Sequence, residues 1–343
     1  MTLALVTGIG GQDGAWLAAR LLQDGVQVIG THRPSSTAGN WRLDELGIAA
    51  HPRLRLVALD PGDAAACRQL VADIAPDVIY HLAGQSRVAD SFRDPLGSVA
   101  VNGIGTLNLL EAMRRHAPDS HFVLAASAEI FGTAPAPQDE TTPPQAASPY
   151  GLSKLVAHAA IGAWRASFGL TASSAILFNH ESELRDEAFV TRKISRAAAR
   201  IALGREHDIA LGNLDAQRDF GYAPEYMDAL VAMGAREPGD DYVLATGHAA
   251  SVREFATAAF AAAGIELEWS GQGLAETARD RRDGRVRVRV DPTLLRPVDA
   301  PLLVGNAHKA RKLLGFAPRV GLAELTRRMV EADLARERAM QGG

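Results

Sequence analysis

The chain of 343 residues is 47% hydrophobic, enough to bury a full core in one large or two intimately joined domains. Its formal charge of −4, with a pI near 6.2, leaves no basic stripe for nucleic acid as the main partner. Cys67 is the only cysteine, which excludes an intramolecular disulfide framework, and no CxxC or His/Cys cluster offers a metal site. No apolar run is long enough for a membrane helix, and Met1 leads straight into LALVTG without a cationic leader, so a soluble, cytoplasmic protein with no membrane partner is expected.

The run LALVT, the Gly-rich GIGGQDG, the amphipathic AWLAARLLQDG and the run VQVIGTHR read as strand, tight turn, helix and second strand, one complete βαβ unit. Apolar runs at RLRLVAL, DVIYHLA, HFVLAAS and LTASSAILF then alternate with helical patterns at Ala64 to Ala75, Ser98 to His116 and Pro149 to Phe168. That alternation predicts an α/β fold, a doubly wound parallel sheet of the Rossmann kind, over residues 1–178. Beyond Phe178 the order loosens into polar NHESELRDE, a helix near Thr191 to Leu203, and the short segments DIALGN and DYVLATG. Residues 179–343 are expected to form mainly a smaller, mixed α/β substrate-binding lobe, with later segments at about 205–250 returning to the first domain. Gly271 to Arg289 reads as an exposed loop leading into an extended stretch, and Leu322 to Met340 as a closing helix.

Gly8, Gly11 and Gly14, with Gln12 and Asp13 between them, lie between the first strand and first helix. Missing side chains there permit a sharp turn and close approach of a pyrophosphate to helix N–H groups. At the end of the second strand, where an NAD-preferring protein usually has an acidic residue, stand Thr31, His32 and Arg33, followed by Ser35 and Ser36, which favours NADP through contacts to its 2′-phosphate. Asp60, ending the third strand, suits the adenine amino group or, equally, the cap of a helix starting near Asp63. Tyr150 and Lys154, four apart in SPYGLSKL, fall on one helix face about a turn apart; a fixed cation beside a phenol lowers its pKa and makes it a usable base.

TGxxGxxG, Ser127 at the end of a later strand, and the Tyr150/Lys154 pair together resemble the extended short-chain dehydrogenase/reductase family. GIGGQDGAWLA, LAGQSRVADSF, ASAEIFG, SPYGLSKL, LFNHES, FVTRKI, LGNLDAQRDFG and DYVLATG narrow the resemblance, over nearly the whole chain, to the GDP-mannose 4,6-dehydratases. The resemblance implies an enzyme that oxidises C4 of the hexose, eliminates water across C5 and C6, and returns the hydride to C6. Tyr150 would be the C4 base, Lys154 its activator and a ribose contact, Ser127 a hydrogen bond to the same oxygen, and Glu129 the C5 base. Glu129 stands two positions beyond Ser127 on what reads as a strand, hence on the same side. Carried over residue by residue, Leu82, Ala83, Gln85 and Ser86 would line the cofactor, His180 would lie near the nicotinamide end, and Arg185 would reach a cofactor phosphate, within one subunit or across a boundary. His180 is otherwise a satisfied core histidine. The nucleotide sugar would meet Ser86, Ser127, Asn179, Lys193, Arg218, Arg296 and Asp299, and a homodimer or homotetramer is implied.

The chain departs from the family at Glu183 and Asp186, where proline and glycine are usual, at Gln145, Ala146 and Ala147, which replace bulk and charge ahead of SPY, at Gly97 and at Asp299. A roomier sugar end would admit GDP-manno-heptose beside GDP-mannose. A reductase of the same fold has no use for Glu129, and a non-catalytic NADP sensor has no use for the four-residue catalytic set, so both rivals are disfavoured.

Overall fold

The computed structural model describes residues 2–34, 40–295 and 302–340. Seven strands form one parallel sheet in the order Asp241–Leu244, Ala172–Leu177, His121–Ala125, Val78–His81, Leu3–Thr7, Gln27–His32, Leu54–Ala58. Every residue of His121–Ala125 and Ala172–Leu177 is buried, as a parallel sheet sandwiched between helices requires. The chain winds outward from Leu3–Thr7 through the next two strands, then crosses back to set Val78–His81 on its other side. The strand order therefore reverses between Leu3–Thr7 and Val78–His81, and the loops leaving their carboxyl ends open a crevice there.

Packing at that crevice depends on particular glycines. Gly8 has φ +73°, and a Cβ on it would lie 2.8 Å from the Ala83 backbone, so the first glycine turn and the loop after the fourth strand touch main chain to main chain. Helix Pro149–Phe168 begins at Ser148, whose hydroxyl accepts from the Gly151 N–H, with Pro149 in the first turn where its missing N–H costs nothing. Gly151 lies so close to the Glu129 carbonyl that a Cβ would come within 2.5 Å of it, which lets this helix abut the turn bearing Glu129.

A second hydrophobic cluster forms the smaller lobe, with Ile194, Phe220, Phe255, Phe260, Val288 and Met329 among its members. Helices Val190–Ala202, Val252–Ala262 and Leu322–Ala339 pack on one another around it. Within 205–250, helix Ala223–Gly234 packs against the large sheet and Asp241–Leu244 joins it, whereas Ile209–Leu211 pairs with Val286–Val290 in a four-stranded sheet and Gln217–Asp219 lies in a three-stranded one. Within Gly271 to Arg289, read as an exposed loop leading into an extended stretch, Thr277–Asp280 pairs antiparallel with the extended Val286–Val290; Val288 is buried on one face, while on the other Arg287 is buried beside Asp280 and Arg289 is exposed. The helix expected over Ser98 to His116 runs from Pro95 with a π-helical turn at Ala100–Ile104. Among the described residues, no helix is long and apolar enough to cross a membrane.

Candidate active site

A cavity of about 300 Å³ lies in the crevice, at the low end of the usual range for small-molecule sites. It is lined by Asp13, Leu82, Gln85, Ser86, Ser127, Glu129, Tyr150, Lys154, Asn179, His180, Arg185 and Arg218, together with Thr191, Asn213 and Leu303. Large-sheet loops, the Tyr150 helix and the smaller lobe each contribute a wall.

Ser127 and Glu129 reach the cavity by a route other than strand alternation. The strand ends at Ala125, and Ser127 caps a one-turn 3₁₀-helix, Ala128–Ile130, its hydroxyl accepting from the Glu129 N–H at 3.3 Å. Glu129 therefore faces the site from a helical turn, and the two-residue strand period does not apply. Tyr150 is buried and lines the cavity with Ser127. Burial pushes the phenol up to about 12; Ser127 and the charge of Arg185 draw it down, while Glu129 and Asp13 push it further up.

Lys154 lines the cavity with Tyr150, and one of its ammonium N–H groups donates to the Ala125 carbonyl at 2.8 Å, at the end of the strand. Burial brings Lys154 down to about 8, against the opposing pull of Asp13. Asn102, from the π-helical turn, braces both walls. It donates to Ser153 Oγ at 2.8 Å and to the Gln85 carbonyl at 3.0 Å, and accepts from the Gln85 N–H at 2.9 Å. Neither spacing nor motif pointed to it.

His180 is not merely a core histidine. Its Nδ1 lies 2.7 Å from the Phe178 carbonyl, its Nε2 3.0 Å from Asp13 Oδ2, and its ring stacks on Tyr226 with centroids 4.9 Å apart. Two acceptors, one on each ring nitrogen, call for the doubly protonated ring. Burial alone would lower its pKa, but Asp13 overcomes that and raises it. Burial likewise opposes the Asp13 charge, and His180, with Arg185 behind it, holds the carboxyl well below its usual range.

The expected dinucleotide residues sit around the crevice. Gly8, Gly11 and Gly14 form the turn, and helix Gln12–Gln23 starts with no side chain capping its first N–H groups, an open anion site. Gln12 instead donates to Asp13 and to the His180 carbonyl and accepts from Ser182. Ala83 donates its N–H to Thr7 Oγ1 behind the cavity wall. Arg33 is exposed just past the strand Gln27–His32, flanked in sequence by His32 and Pro34 rather than by an acidic residue. Asp60 is exposed and accepts from the Gly62 N–H; the helix cap is Asp63, which accepts from Ala65 and Ala66. An uncapped helix end, a side-chain-free turn and a cation where a carboxylate would discriminate against phosphate together fit NADP.

On the substrate side, Arg218 and Asn179 line the cavity while Lys193 does not; its ammonium donates to the Ala210 carbonyl at 2.7 Å, half-buried behind the wall. Arg296, Asp299, Ser35 and Ser36 lie outside the described residues. Arg185 pairs with the buried Glu181 at 2.9 Å, which also accepts from Thr191, and lies 3.6 Å over the Phe189 ring. The two added carboxylates turn away from Arg185: Glu183 accepts from the Tyr222 hydroxyl and Asp186 pairs with Arg42. Gln145, Ala146 and Ala147 are not among the lining residues; Gln145 donates its N–H to the Ile130 carbonyl, behind the Glu129 turn.

A family model described as GDP-mannose 4,6 dehydratase matches residues 5–329. A Sinorhizobium fredii protein named GDP-mannose 4,6-dehydratase is 42% identical over 339 residues, covering 97% of each chain. A Sordaria araneosa protein named GDP-mannose 4,6-dehydratase sdnI is 44% identical over 337 residues, covering 96% of this chain but only 61% of that longer protein. Among solved structures, RMD from Pseudomonas aeruginosa complexed with NADPH superposes with a TM-score of 0.77 at 22% identity, covering 98% of this chain and 100% of that one, a likeness of fold.

Proposed function

Because the chain belongs to the GDP-mannose 4,6-dehydratase family, we propose that it is an NADP-dependent hydro-lyase converting GDP-mannose to GDP-4-keto-6-deoxy-mannose. The observation that carries this reading is Glu129, a carboxylate lining the same cavity as Ser127 and Tyr150. Ketone reduction needs one proton-transfer group; elimination across C5 and C6 needs a second base near the first.

NADP would lie with its pyrophosphate on the uncapped start of helix Gln12–Gln23 and its 2′-phosphate toward Arg33, and when bound it takes hydride from C4 and gives it back at C6. Tyr150 takes the C4 hydroxyl proton, with Ser127 on the same oxygen. Because the buried phenol sits near 12 in the chain by itself, positive charge has to accumulate around it before it can act as a base near neutrality, and Lys154 and Arg185 are the cations lining the cavity beside it. Once C4 is a ketone the C5 hydrogen is acidic; Glu129 removes it and delivers that proton to the C6 hydroxyl, which departs as water, and as hydride returns to C6 the proton that Tyr150 took from the C4 hydroxyl is given back at C5. Arg218 and Asn179 suit the diphosphate. GDP-mannose is favoured over a longer sugar, because the family is that of the GDP-mannose 4,6-dehydratases and Gln145, Ala146 and Ala147 are not among the residues lining the cavity.

A cytoplasmic homodimer or homotetramer completes the proposal, supported by Leu96, Ile104 and Leu152, exposed on helical segments that pack together. Purified protein given GDP-[4-²H]mannose and catalytic NADP should lose water without stoichiometric reductant and carry the label at C6. Loss of label to solvent, or a demand for stoichiometric NADPH, refutes the reading.

A further inference from the structure

Arg42 lies in the short helix Trp41–Glu45, outside the cavity, and its guanidinium is buried. Nη1 donates to the Gly10 carbonyl at 2.9 Å, Nε donates to the Leu184 carbonyl at 2.7 Å, and Nη2 stands 3.5 Å from Asp186 Oδ2. Gly10 belongs to the glycine turn, and Leu184 immediately precedes Arg185. One planar fork therefore joins the turn suited to a pyrophosphate with the loop that sends a cation into the cavity.

The surrounding bonds show how fully that loop is spoken for. Ser182 accepts from Trp16 Nε1 and donates to Gln12, both on the first helix, and Leu184 is fully buried in the main core. Arg192, from the smaller lobe, donates to the carbonyls of Glu183 and Arg185 and pairs with Asp333. Arg192 ties the loop to the smaller lobe, whereas Arg42 ties it to the glycine turn.

We propose that Arg42 is a positioning residue for the dinucleotide site, holding the glycine turn and the Ser182–Arg185 loop in fixed register so that the turn's N–H groups and Arg185 meet the phosphates together. This rests on the NADP reading above. Arg42 touches no reacting atom, so its effect falls on cofactor affinity. Lysine offers a single ammonium that reaches one carbonyl at a time, and methionine leaves both carbonyls without a donor.

The test measures NADPH binding by fluorescence, kinetics at varied NADP, and amide hydrogen exchange of the cofactor-free chain, for wild type, Arg42→Lys and Arg42→Met. The expected result is a Kd raised about tenfold or more in Arg42→Met, roughly 1.4 kcal/mol, and less in Arg42→Lys, with Kd rising far more than kcat falls. Exchange should quicken at Gly8–Gly11 and Ser182–Phe189 together while the Ala172–Leu177 strand keeps its protection. A Kd within twofold of wild type in both variants overturns the proposal, as does quickened exchange in one segment without the other, or uniformly across the chain. Should Arg42→Met fail to fold, Arg42→Lys carries the same test. Should wild type bind no NADPH, the cofactor reading fails, while exchange of the cofactor-free chain still decides whether Arg42 couples the two segments.

Discussion

Gly14 offers the most direct test of the dinucleotide site. A Cβ built there would lie 2.6 Å from Ile9 Cα and closer still to the Gly8 carbonyl oxygen, both backbone atoms that no rotamer can move aside. Ordinary contact begins at 3.4 Å and the Gly8 oxygen would stand at 2.4 Å, so the first turn of helix Gln12–Gln23 has to retreat by about 1 Å. Its buried residues, Ala15, Leu17 and Ala18 among them, and the bonds of Gln12 to the His180–Ser182 segment resist that retreat. Overpacking of this kind costs about 1–3 kcal/mol, which at roughly 2–4 °C per kcal/mol lowers Tm by several degrees. The same displacement takes the turn's N–H groups out of reach of a pyrophosphate; losing one charge-assisted hydrogen bond, worth about 1.5–3 kcal/mol, weakens NADPH binding by roughly tenfold to a hundredfold. Gly162, inside helix Pro149–Phe168 with nothing within 4 Å of an added Cβ, is the control: Gly162→Ala should raise stability by about 0.5–1 kcal/mol. Calorimetric Tm and fluorescence titration with NADPH measure both. A Gly14→Ala protein that melts within a degree of wild type and binds NADPH as tightly refutes the close-approach explanation of this turn.

Glu129→Gln should lower turnover to dehydrated product by about 10²–10⁴-fold while still washing deuterium from C4 into NADP in a single turnover; normal elimination in that variant removes Glu129 from its role. Stability should depend on pH through the Asp13–His180 pair. His180 is raised, so its contribution is whole below its unfolded value near 6.5 and is lost as pH climbs through the folded value; Asp13 is depressed, so its contribution is whole above its unfolded value near 3.8 and is lost as pH falls toward the folded one. Asp13→Asn should therefore abolish the alkaline decline in Tm that sets in above about pH 6.5, and melting curves that run parallel to wild type there count against the pair.

The order of elements was readable because helix and strand leave different periods in a sequence, and because a parallel sheet buried on both faces writes its strands as continuous apolar runs. LALVT, HFVLAAS and the helix Pro149 to Phe168 are local statements, decided by neighbours in sequence, and the folded chain places them as read. The same holds for the glycine turn, whose demand for absent side chains is local. Thr277–Asp280 was not legible as a strand, because its polar TARD run resembles a loop until the extended VRVRV pairs with it.

What the tertiary structure alone decided are the partners. Asp13 lies next to Gln12 in sequence, yet its counter-ion is His180, and Arg42 finds its acceptors at Gly10 and Leu184. Lys154, a helical turn from Tyr150, is anchored by a hydrogen bond to the Ala125 carbonyl, and Glu129 enters the cavity from a 3₁₀ turn rather than a strand. A residue's own type and its near neighbours determine what it can bond; which carbonyl or carboxylate stands within 3 Å is set by how distant segments pack. Burial, which pushes Tyr150 up to about 12 and Lys154 down to about 8, exists only after that packing is complete.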